Sequence, residues 1–165
     1  MISKENENDK LTELEWHRKM AAQLFNHTWE LIDKGDNRTP NESDEMIHSA
    51  HASRYHWGIV VISGKYTKTG PMNLERGDWQ ISRVYAILNR PEPALYHAER
   101  CLSICEKHKI GDFDIAFALE AMARAYSLSE DSKAKEYLER AKNAGEAISK
   151  EEDMKYFLSE LATIK

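Results

Sequence analysis

The feature that most constrains this chain is an internal match. The segment SRVYAILNRPEPALYHAERC, from Ser82, aligns with ARAYSLSEDSKAKEYLERA, from Ala123, with one residue absent from the second copy. The period is about 40 residues, a length that holds a pair of helices. Arg83 and Arg124, Tyr85 and Tyr126, and Ala94 and Ala134 correspond, as do Glu99-Arg100 and Glu139-Arg140. A helix pair repeated in this way buries its apolar face against the next pair, so the chain is built for stacking. Composition agrees: seven glycines and four prolines in 165 residues are few chain breakers, which favours long helices.

Helix signals extend the pattern in both directions. Residues 1–9 are polar and are expected to fray. From about residue 10 to 34, Leu14, Ala21, Leu24, Phe25, Leu31 and Ile32 form a stripe at helical spacing that ends at Gly35. Thr39, Pro40 and Glu42 then read as N-cap, first helical residue and capping-box glutamate of a second helix. Residues 10–63 are therefore expected to be a helical hairpin. The β-branched run at residues 59–62 is read as helix, because no partner strand is visible elsewhere. A loop is expected over residues 64–73. Further helices are expected at about 74–89, 92–109, 112–129, 131–148 and 151–163, separated by gaps so short that successive helices must be antiparallel neighbours. The fold class is all-α, with about seven helices in a single domain. Asp112 and Asp114, flanking Phe113 at a helix start, are expected to cap it.

The two copies resemble a tetratricopeptide (TPR) repeat, which asks for a large apolar residue, a small one and a Tyr in the first helix and small residues in the second. Ile81-Ser82…Tyr85…Ala94…Cys101 and Met122-Ala123…Tyr126…Ala134…Ala141 supply them. Asp78 departs from the pattern, standing where a large apolar residue is usual. The resemblance covers residues 74–163 and implies two TPR-like helix pairs with a C-terminal capping helix. The chain as a whole is also similar to small bacterial TPR-like proteins, in HASRYHW followed by GDWQISRVY, a likeness that implies no activity.

The resemblance implies a concave face lined by the first helices that receives a protein or peptide partner. It places Arg76, Trp79, Arg83, Glu120, Arg124 and Ser127 on that face. Trp79 and Arg83 are spaced i and i+4, and both residue types are frequent interface anchors. The competing reading has Trp79 packed inside and Arg83 in a structural ion pair.

A second candidate is the histidine-rich stretch ESDEMIHSAHASRYHW. On a helix, Asp44, His48, His51 and Tyr55 fall within about 60° of one another. A hairpin would bring His27 level with His48 and His17 level with His56. A small-ligand pocket from His48, His51, Tyr55 and His56, or a metal site from His27, Asp44, His48 and His51, is the alternative these residues allow. His97, Cys101 and Cys105 share a face, but Cys101 sits where the repeat needs a small buried residue.

Several function classes lose ground on charge and motif content. A net charge of −5 leaves no basic excess for nucleic acid. The longest uncharged apolar run, residues 57–64, falls far short of the ~20 residues that span a bilayer. MISKENENDKLTELEW lacks the apolar core of a secretory signal, and two cysteines one turn apart are expected to stay reduced, so a cytoplasmic location is expected. No nucleophile, general base and orienting residue can be named together. The favoured expectation is a non-catalytic binding module with no cofactor, for which a homodimer is allowed but not required.

Overall fold

The structure is a computed structural model that describes residues 11–65 and 67–165. The expected tail at residues 1–9 lies outside the described residues. Those described form seven helices and no strand: α1 (Glu13–Asp33), α2 (Pro40–Ile62), α3 (Gly70–Ile87), α4 (Pro91–His108), α5 (Asp112–Leu128), α6 (Lys133–Glu146) and α7 (Glu151–Leu161). A single 3₁₀ turn, Gly35–Asn37, joins the first two.

Local sequence accounts for most boundaries. Thr12 and Thr39 each close a capping box with the glutamate three residues on, Glu15 and Glu42, which start α1 and α2. The β-branched residues 59–62 continue α2 and do not form a strand. Helix α3 starts four residues earlier than its periodicity suggests, because Pro71 sits in its first turn, so the 64–73 loop shrinks from its C-terminal side. With glycine scarce, the left-handed connections fall on Asn89, Lys109, Asp112 and Glu130, all at φ between 53° and 58°. That conformation takes Asp112 out of the expected capping role: Gly111 is the N-cap, and Asp112 Oδ1 instead accepts the Ser149 amide at 2.9 Å.

The helices pack in adjacent pairs, α1 with α2, α3 with α4, and α5 with α6. Along one side α3 packs on α5 and α5 on α7. Helix α1 joins that row through Gln80, whose amide donates to the Phe25 carbonyl, and through Trp29 against Trp79. Two apolar clusters result. Leu31, Met46, Ala50, Ile81 and Val84 join the first hairpin to α3, while Ala98, Cys101, Phe117, Met122, Ala141 and Phe157 belong to a larger cluster spanning α4 to α7.

Between the clusters lies a buried charge. Asp78, 1% exposed, occupies the place where the repeat pattern expects an apolar residue. Its carboxylate accepts from Arg54 Nε of α2 at 2.9 Å, and from His97 Nδ1 and Arg100 Nε of α4 at 2.9 and 3.1 Å. Gly77 makes the approach possible: a Cβ there would stand 2.6 Å from Arg54 Cδ. Burial alone would raise the Asp78 pKa, but the His97 hydrogen bond and the two guanidinium groups outweigh it and hold the carboxyl below its ordinary 3.8. A lowered carboxylate pKa stabilises the fold at pH values above 3.8, and that contribution fades as pH falls further.

Replacing Asp78 by Ala strands Arg54 and His97 against the core, and is expected to cost about 3–5 kcal/mol in urea unfolding at pH 7. The gap between wild type and variant should narrow below pH 3.8, as the wild-type carboxyl protonates. At the other end of the stack, Gly145 lies under the Phe157 ring, where a Cβ would come within 2.1 Å of Cε1. Gly145→Ala should therefore expel the aromatic anchor of α7 and lower stability by about 2–4 kcal/mol, with increased amide exchange over α7.

Candidate functional site

Helix α3 carries the site. Glu75, Arg76 and Trp79 fall on one side of it, with Glu75 and Trp79 spaced i and i+4. Opposite them stand α1, the start of α5 and the middle of α7. Together these elements enclose a pocket of about 270 Å³. Six aromatic side chains line it: Phe25, Trp29, Trp79, Phe113, Phe117 and Tyr156. Trp79 is held between Trp29, with ring centroids 5.7 Å apart, and the edge of Phe117 at 5.5 Å. Phe117 in turn meets Phe113 at 4.6 Å and Tyr156 at 6.0 Å, so α7 closes the wall that α5 begins.

Three ionisable residues complete the lining. Arg76 holds Asp114 with both Nε and Nη2, at 2.7 and 3.2 Å, a bidentate pair at the pocket edge. Asp114 is thus engaged by a side chain of α3, where its position in the first turn suggested a cap. Glu75 is different. It is 1% exposed, its Oε1 accepts from Cys101 Sγ at 3.0 Å, and its Oε2 has no partner. Trp79 Nε1 is a second buried polar atom without one. Burial pushes the Glu75 carboxyl up to about 8, with the nearby Asp114 and Asp78 adding to the shift, so it holds its proton at neutral pH. Burial likewise raises the Cys101 thiol, its contact with Cys105 adding to this, which keeps Cys101 an un-ionised donor.

The six residues assigned to the partner-binding face divide into two groups. Arg76 and Trp79 line the pocket. Arg83, Arg124 and Ser127 engage α7 and the residues after it, and Glu120 is buried against the two arginines. Arg83 Nη2 meets Glu160 Oε2 at 2.5 Å and its Nη1 lies 3.5 Å from the buried Glu120. Arg124 pairs with Glu120 and also donates to the Glu160 carbonyl and the Thr163 hydroxyl. Ser127 donates to the Lys165 carbonyl. Helix α7 and the residues after it thus cover the far end of this row, where Arg124, Ser127 and residues 163–165 line a pocket of about 220 Å³, while the aromatic pocket lies among α1, α3, α5 and α7.

The histidines do not converge. His56 turns to α1, where its Nδ1 and that of His17 share a hydrogen bond at 2.7 Å beside Trp16. His51 turns to Tyr85, whose hydroxyl is 3.0 Å from its Nε2, and packs near His97. His48 and Asp44 are exposed, as is Tyr55. His27 lies between Glu45 and Glu30, whose hydrogen bonds raise its pKa. Among the described residues no group of three or more His, Cys, Asp or Glu side chains is placed to hold a metal ion. No helix among them is long and apolar enough to cross a membrane.

Sequence reasoning missed Glu75 and the aromatics of α1, α5 and α7. The i, i+4 spacing of Glu75 and Trp79 was a usable signal, whereas Phe25, Trp29, Phe113 and Tyr156 are joined by tertiary packing alone. Comparison with known proteins finds no matching family model, no matching curated protein and no matching solved structure.

The raised Glu75 pKa has a signed consequence for stability. The unfolded chain ionises this carboxyl near 4.5 and the folded chain near 8, so stability is lost as pH rises between those values. Glu75→Gln keeps the shape and an acceptor for the Cys101 thiol but cannot ionise. Relative to wild type, it is expected to gain about 3–5 kcal/mol between pH 5 and pH 8.5 in urea unfolding. Parallel pH profiles for the two proteins would show instead that Glu75 ionises normally.

Proposed function

We propose that this protein is a non-catalytic helical-repeat module of the TPR-like kind, and that it binds a protein or peptide partner by seating one side chain in the aromatic pocket. The observation that carries the reading is the pocket itself: six aromatic walls around a buried carboxyl oxygen that nothing in the fold satisfies. A folded chain normally pairs such an atom, and an apolar concavity with a few convergent polar groups is what recognition sites are made of. Rigid aromatics contribute large contact area at small entropic cost, which suits an anchor pocket.

Three further features support it. The paired helices and the Ile81-Ser82…Tyr85 and Met122-Ala123…Tyr126 copies fit a stacked repeat, whose inner row is the usual recognition surface. Arg76 and Tyr156 remain about half exposed beside the pocket, where they can meet a chain running across it. The two buried, unpaired thiols fit a reducing, cytoplasmic setting. A site on the histidine-rich helix has less support, because His51 and His56 are turned to different neighbours.

Selection of a random peptide library against the intact protein tests the reading. Enriched peptides are expected to lose at least tenfold in affinity, about 1.4 kcal/mol, when re-measured on Trp79→Ala and on the rim variant Tyr156→Ala. Equal binding to all three proteins, each with a cooperative melt, would place the recognition surface elsewhere.

A further inference from the structure

The lining of the pocket says which side chain it takes, provided that the pocket is the partner's anchor point as proposed above. Glu75 is the one ionisable group in it that makes no ion pair, the neighbouring Arg76 being committed to Asp114. Asp114 is already neutralised by the bidentate Arg76, and Asp78, one turn further along α3, is neutralised by Arg54, His97 and Arg100. The other elements facing Glu75 bring no cation: α1 offers Phe25 and Trp29, α4 the Cys101 thiol, α5 two phenylalanines beside Asp114, and α7 the Tyr156 phenol.

We propose that the pocket takes an alkylammonium group, the side chain of a lysine in a peptide partner, with its methylene stem along the aromatic walls and its ammonium paired to the Glu75 carboxyl, whose unpartnered Oε2 is shut off from solvent and turns into the pocket to meet it. An ammonium supplies both what that oxygen lacks, a donor and a positive charge, and is itself attracted to aromatic faces. Its four-carbon stem is apolar and matches a wall of rings. No atom other than a proton changes hands. The empty pocket holds its proton on Glu75 up to about pH 8, and the entering ammonium displaces it to solvent. Binding therefore releases a proton and tightens as pH rises towards 8, while the lysine ammonium stays charged throughout.

The test uses the intact protein and two probes that differ only in the charged group, N-acetyl-lysine methylamide and N-acetyl-norleucine methylamide, followed by the indole N–H resonance of Trp79. The lysine probe is expected to shift that resonance, and to bind about tenfold more tightly at pH 8.5 than at pH 6.5. The norleucine probe should bind more weakly and without that pH dependence, and Glu75→Gln should abolish the difference between the two. Norleucine binding as tight as lysine, or lysine affinity that is flat or falls with pH, overturns the ammonium assignment and leaves the anchor pocket standing. If neither probe moves Trp79, the ammonium assignment and the pocket's role as anchor both fall.

Discussion

The Asp78 carboxylate is the point on which the arrangement of this protein turns. It sits on the central helix α3 and draws Arg54 from one side and His97 and Arg100 from the other, so one side chain fixes α3 against both α2 and α4. Replacing the whole set, carboxylate and donors together, by well-packed apolar residues would cost little, since removing charges from water costs about as much as their attraction returns. What the charge set supplies is a single register. Leucines pack acceptably in several rotations of a helix, whereas a buried carboxylate is satisfied only where its three donors meet. Gly77 belongs to the same device, because Arg54 reaches Asp78 by passing over a residue with no side chain.

Once α3 is fixed, the site follows. One turn before Asp78, Glu75 faces the opposite elements, and one residue after it Trp79 enters the row of rings contributed by α1 and α5. The two buried carboxyls behave oppositely for a plain reason. Asp78 has three donors, two of them guanidinium groups, and is held ionised. Glu75 is buried with a thiol as its one donor, and is held neutral. Helix α7 decides how much of the inner row stays open. Its Phe157 is seated on Gly145 and its Glu160 is bound by Arg83, which covers the far end of the row and leaves Tyr156 as one wall of what remains.

Much of the fold could be read from local signals. Thr39, Pro40 and Glu42 mark the start of α2, the repeat gives the pairing of α3 with α4 and of α5 with α6, and the scarcity of glycine and proline gives helix length. The errors were of a different kind. Thr12 and Glu15 form the same capping box as Thr39 and Glu42, yet the helix read from the stripe beginning at Leu14 is started at about residue 10, ahead of that cap. Asp112 and Asp114 look like caps from their position in the first turn, but one is at φ 55° and accepts the amide of Ser149 in the α6–α7 connection, and the other answers an arginine of α3. Partners distant in sequence decided both.

The sequence by itself determined which segments are helices, which of them pair, and that Trp79 and Arg83 share a side of α3, because caps, periodicity and i, i+4 spacing act within a few residues. It did not determine whether the inner row is open or filled. That depends on where α7 returns, and on whether Arg83 and Arg124 find Glu160 or solvent. Tertiary structure alone assembled six aromatics from four helices around Glu75 and left one of its oxygens without a partner. A carboxyl's neighbours set its charge and its role, and those neighbours come together only when the chain has folded.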